Sequence, residues 1–213
     1  MLGHALRAAA KTPSVSYANR YSSNTNAASF TFNTSSIGTA DNSRLVVVQV
    51  HGLAASGTIT VDSLTIGGTS ANGYENTARL YHNSLWTLAV AAGTTANIVV
   101  NFSATANNCL IGVYALYNLN STTPVATNAT FASSTTISNT IDAREKGVVI
   151  AGITGDAGST TTWTGVTERY DQQVETDVRS GGNATIAATN ASYSVQAVIG
   201  ASGNIVLAIG SWR

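Results

Sequence analysis

The chain has 213 residues, of which 9% are charged and 44% apolar, and its formal net charge at pH 7 is zero. An average soluble protein is about a quarter charged, so the polarity here comes instead from Ser, Thr, Asn and Gly, residues that suit β surfaces and tight turns. Two lysines, Lys11 and Lys146, form no basic patch for a nucleic acid; a lone cysteine, Cys109, excludes an intramolecular disulfide and a multi-cysteine zinc site; and no apolar run reaches the ~18 residues of a membrane-spanning helix.

The opening, MLGHALRAAAKT, lacks the apolar centre of a signal peptide, which predicts synthesis in the cytoplasm. Its Ala and Leu content favours helix until Pro13 stops it. Residues 1–13 are therefore read as a short N-terminal arm and residues 14–213 as one β domain. Within the arm Leu2 and Leu6 lie four apart on one helical face, and Arg7 and Lys11 four apart on another. So short a helix is unstable alone in water, and these four residues are candidate docking contacts to a partner.

After Pro13 the pattern is strand and turn. Expected strands cover 14–18, 29–32, 44–51, 58–66, 77–82 and 84–90, then 96–102, 109–117, 125–131, 135–139 and 147–154, and finally 184–189, 192–199 and 204–212. Turns are expected at Gly67-Gly68, Asn72-Gly73, Gly93, Asn107-Asn108, Gly181-Gly182 and Gly203. No later stretch has helical periodicity, so the fold class is all-β: a two-sheet antiparallel sandwich. Alternation puts Ile98, Val100 and Phe102 on one face, and Tyr193, Val195, Ala197 and Ile199 on one face. RLVVVQV and GVVIAGI are apolar on both faces and read as central strands, covered by the second sheet and by a loop or neighbouring subunit. The expected core contains Val46, Val48, Val50, Ile98, Val100, Val113, Ile150, Val195, Ile199, Val206 and Ile209. No internal repeat is detectable. DAREK, from Asp142 to Lys146, reads as an exposed corner.

The densest polar stretch is ERYDQQVETDVR. Paired carboxylates are what glycoside hydrolysis requires, but Glu168 and Asp171 fall on opposite faces of a straight strand. Glu168, Asp171, Glu175 and Asp177 are therefore expected to be surface residues of a solvated connection. The stretch lacks the Gly-bearing arrangement of a calcium loop. His4, His51 and His82 have no metal-ligand spacing, and no nucleophile elbow is present, so no catalytic, metal or cofactor residues are assigned. Cys109 reads as a small buried hydrophobe. Trp86 and Trp212 sit in apolar strands and read as core. Trp163, in a Thr-rich run, is the candidate exposed ligand contact.

WTGVTERYD, the Gly-Gly pair and SYSVQAVIGASGNIVLAIGSW, together with RLVVVQVHG, ITVDSLTIGG and SLWTLAVAAGTTANIVVNF, resemble β-sandwich structural proteins of tailed bacteriophages over 14–212. The resemblance implies a jelly-roll-like sandwich located in the virion, as a capsid decoration, head-fibre or tail-associated subunit. Its implied partners are other virion proteins and further copies of itself, and the arm would dock on a sister subunit or on the particle. It supplies no site residue. The alternative is a carbohydrate- or receptor-binding module of a phage tail, with a surface glycan as ligand; a small hydrolase is the third reading.

Overall fold

The computed structural model describes residues 12–156 and 160–213. Leu2, Leu6, Arg7 and Lys11 lie outside the described residues. Within them there is no helix, and fourteen strands form two antiparallel sheets. The first sheet holds β1 (Ser14–Ser23), β2 (Ala27–Ser36), β3 (Leu45–Ala54), β4 (Val61–Ile66), β5 (Thr69–Ser70), β6 (Asn72–Tyr74), β7 (Tyr81–Ala89) and β8 (Thr95–Tyr117). The second holds β9 (Ala126–Ala143), β10 (Val148–Gly155), β11 (Thr161–Thr164), β12 (Thr167–Val174), β13 (Asp177–Thr185) and β14 (Asn190–Trp212).

Each sheet is organised by one long strand that serves two layers. The first arm of β8 pairs with β2 and β4, and its second arm with β1 and β3. The first arm of β14 pairs with β11 and the second with β10, while β9 follows both. The pairs expected as turns in these runs are where the strands change layer instead. Registers shift at Leu53/Ala54 opposite Ala106, and between Val198 and Gly203. Backbone groups on both arms are paired, and that ladder overrides the turn preference of Asn-Asn and Gly.

Folding over gives each sheet its own core. In the first, Val46, Val48 and Val50 of β3 meet Ile98, Val100 and Phe102 from the first arm of β8. In the second, Val149, Ala151 and Ile153 of β10 meet Val195, Ala197 and Ile199 of β14. The opposite faces of β3 and β10 build a third core between the sheets, from Leu45, Val47, Leu110, Tyr114, Val148, Ile150 and Trp212. This is why RLVVVQV and GVVIAGI are apolar on both faces: the folded-over arm of the same sheet, rather than a loop or another subunit, covers the second side. All eleven expected core residues are buried.

The topology also contains a repeat that residue identities conceal. β1 with β2, β3, β4, β6, β7 and β8 have counterparts in β9, β10, β11, β12, β13 and β14, in the same chain order and with the same partners. The packing between the halves is reciprocal: β3 meets β10, β7 meets β14, and β13 meets β8 through Arg179 and Asn108. Such reciprocity is that of a two-fold interface, here within one chain.

Candidate functional site

The middle layer changes character along its length. On β3 the side chains facing the other sheet run Leu45, Val47, Gln49, His51; on β10 they run Val148, Ile150, Gly152, Thr154; on β13, Asn183, Gly181, Arg179. One end is therefore apolar and the other polar, yet both are closed to solvent. His51 is fully buried, with Nδ1 2.8 Å from Thr154 Oγ1 and Nε2 2.7 Å from the Tyr170 hydroxyl. Burial, and secondarily the Arg179 charge, hold its pKa well below the ordinary value, so the ring is neutral and both nitrogens are occupied by protein. The Gln49 amide lies 3.0 Å from Asn83 Oδ1, and Asn83 Nδ2 donates to the Gly152 carbonyl at 2.6 Å. The Asn83 bond to Gly152, like the two bonds of His51, joins the two sheets. A buried polar group without a partner is costly, so the pairing fixes one register of sheet on sheet.

Arg179 and Asp177 complete this layer, and here the expectation fails. ETDVR is a tight hairpin turn rather than a solvated connection, with Glu175 at a φ of 58° and Val174 paired with Asp177. Positions 177 and 179 share the strand face that looks inward. Asp177 is 3% exposed and Arg179 is fully buried. The guanidinium donates to Asp177 Oδ2 and Asn108 Oδ1, each at 3.1 Å, and to the carbonyls of Val178 and Gly155. Burial raises the Asp177 carboxyl and lowers Arg179, each opposed by the other's charge.

Glu168 and Glu175 are exposed, as expected, and Asp171 is half-buried. The strand is not straight, however: a bulge at Arg169 sets Glu168 opposite Gly182 and Asp171 opposite Ser180, on one face. Burial first, then the Asp171 charge, raise Glu168. Burial also raises Asp171, although the Thr161 N–H donates to it at 2.6 Å. Neither carboxylate lines the clefts at Arg79. Trp163 is half-buried against the second core and its Nε1 donates to Ser180 Oγ at 2.8 Å, so the indole edge is already engaged. His82 is buried in the first core, 2.9 Å from Ser84 Oγ, which also accepts from Trp86 Nε1. It lies within the continuous strand β7, which runs through the gap expected between strands 77–82 and 84–90. Gly181-Gly182, too, sits inside a strand. Cys109 and Trp212 are buried in cores, and burial pushes the Cys109 thiol up. Among the described residues no group of three or more His, Cys, Asp or Glu is placed to hold a metal ion.

The open site is elsewhere. Between the β6–β7 connection and the strands β9 and β14 lies a cleft of about 270 Å³, lined by Thr58, Arg79, Leu80, Tyr81, Phe131, Asn204 and Val206 among others. Leu80 and Phe131 are 40% and 45% exposed, and the Arg79 guanidinium sits 5.4 Å from the Phe131 ring centroid. A smaller recess beside it is lined by Glu75, Asn83 and Thr130 and shares Arg79 and Val206. Sequence reasoning missed this site. The available signal was Phe131, a lone aromatic in the Ser/Thr/Ala run NATFASS, but nothing local ties it to Arg79, which lies in the other half of the chain.

No protein-family model and no curated protein matches this chain. Among solved structures, an anti-sigma factor domain-containing protein is similar over 93% of this chain and 86% of its own, at 7% identity and a TM-score of 0.28. That likeness is too distant to bear on fold or function.

Proposed function

We propose that this chain is a structural subunit of a tailed-bacteriophage virion, a capsid decoration or head-fibre protein that binds the particle surface, associates with its own copies and catalyses nothing. The observation that carries the reading is where the reactive side chains are directed. His51, His82, Asp177 and Arg179 are all buried and hydrogen-bonded within the fold, while the exposed strand faces are mainly Ser, Thr, Asn and Ala. Quantitative mass spectrometry of purified particles, with imaging of particles made with and without the protein, tests it. A decoration protein is expected in hundreds of copies at regular capsid positions. Absence from washed particles would overturn the proposal.

A second reading, a carbohydrate- or receptor-binding module of a phage tail, is favoured by the open cleft at Phe131 and Arg79. Tens of copies or fewer, located on the tail, would select it over the first.

A further inference from the structure

The two halves share one plan but differ where β7 and β13 enter the middle layer. In the second half a tight turn at Glu175 leads into Asp177 and Arg179, which fill the space against Asn108. In the first half the corresponding connection runs from residue 75 to residue 80, and the space is left open as the cleft.

Arg79 distinguishes this cleft from an accidental gap. Every other described arginine donates hydrogen bonds to the protein: Arg20 to Gln172, Arg44 to three carbonyls, Arg144 to Asp142, Arg169 to Asn183, Arg179 to four acceptors and Arg213 to Glu145. The guanidinium of Arg79 donates to no described residue and has no carboxylate within 4.0 Å among them; it lies over the face of Phe131. A planar cation with free donors, held over a ring beside exposed apolar side chains, matches a carboxylate carried on a ring with an apolar face.

The backbone and the charges narrow the ligand further. Arg79 and Ile59 already exchange both backbone hydrogen bonds, and the Leu80 carbonyl accepts from Ala54, so these edges are not free to pair with an extended peptide. No second Lys or Arg lines the cleft, which disfavours a phosphate. Asn204 donates its Nδ2 to Asp156 at 2.9 Å and keeps its Oδ1 as an acceptor, and Thr58 adds a hydroxyl.

We infer that this cleft binds an acidic sugar residue: Arg79 takes the carboxylate, Phe131 and Leu80 the apolar ring face, and Thr58 and Asn204 the hydroxyls. The inference rests on the carbohydrate-binding reading.

The test titrates the isotope-labelled full chain with glucuronate, galacturonate and N-acetylneuraminate, using glucose and a short acidic peptide as controls, and follows backbone amide shifts. At least one acidic sugar is expected to give saturable shifts confined to 58, 79–81, 131 and 204, with glucose and peptide weaker. Arg79→Gln, an exposed change that leaves the melting temperature unaltered, weakens this binding about tenfold or more, whereas Arg213→Gln does not. Equal binding of glucose, shifts with the peptide alone, an unaffected Arg79→Gln variant, or no saturation by any acidic sugar would each sink the site. Copy number and tail location are measured separately on particles, so the tail reading can survive the loss of this site.

Discussion

Tyr170 reaches across the middle layer because neither residue beside its ring carries a Cβ. Gly112 lies on the facing sheet and Gly181 on the neighbouring strand, and a Cβ at Gly181 would stand 2.5 Å from the ring. Its hydroxyl then meets His51 and its ring stacks on Tyr17. Gly181→Ala is expected to lower stability by about 2 kcal/mol, because a packed core relieves such a clash only by moving its neighbours; the urea midpoint measures it, and an unchanged midpoint would show that the ring has room. A second residue-scale prediction concerns the histidines. Burial lowers His82 from its ordinary 6.5 to about 4, and His51 moves in the same direction. At His82 the unfolded chain takes up a proton near pH 6.5, whereas the folded chain does not until about pH 4. Stability is therefore full above the higher value and falls as pH drops through the window, by roughly 3 kcal/mol for His82 alone. Urea unfolding at a series of pH values should show this fall, and His82→Gln should flatten it. A profile that is level from neutral to the bottom of the window would mean that these rings accept protons in the folded state.

At the scale of elements, strand content and facing were legible while continuity was not. The alternation at Ile98, Val100 and Phe102 and the unbroken runs of β3 and β10 follow directly from what each face meets. By contrast, Asn107-Asn108 and the Gly200 to Gly203 region carry turn preferences. They sit mid-strand because partners far along the chain pair on both sides of the bend. Asn72-Gly73 and Gly181-Gly182 misled for a different reason: Gly73 and Gly181 make room for the rings of Trp86 and Tyr170, and Gly182 lies against the Thr167 backbone, rather than reversing the chain. Asp177 was misplaced because the register of the β12–β13 hairpin, not local polarity, decides which way it points. The cleft was illegible because its walls come from separate halves. Deleting 204–213 removes the second arm of β14, and with it the ladder to β9 and β10 and the side chains of Ile205, Leu207, Ile209 and Trp212. At ~1.5–3 kcal/mol for each buried side chain, the loss rivals the ~5–15 kcal/mol that holds a typical domain together. The truncated chain is expected to show no cooperative unfolding transition in circular dichroism. A soluble product with an unchanged melting temperature would refute this.

For the whole molecule, the reciprocal halves meet through a layer whose apolar end holds Tyr114, Trp212 and Leu85 fully buried. Neither half can leave that face in water without a large apolar surface exposed. Splitting the chain within the 118–125 connection should therefore yield two fragments that self-associate or aggregate alone. Mixed in equal amounts, they should form one heterodimer with a single unfolding transition. Sedimentation and thermal melts measure this, and a fragment that is monomeric and cooperatively folded by itself would show the middle core to be dispensable.

Both halves close their sheets by pairing the first strand with the last: Ser14 stands opposite Tyr117, and Ala126 opposite Ser211. Pairings about a hundred residues apart are slow to form, since the entropy of a long loop is lost before any contact repays it. On the ribosome β1, β2 and β3 must emerge and wait, with β3 apolar on both faces, until β8 has been made. The first half can then close, but its middle face stays bare for as long as the second half takes to be synthesised. The arrangement that makes the finished molecule continuous in space makes it discontinuous in time, and the interval before β14 emerges is when a nascent chain of this design is most exposed to pairing with another copy.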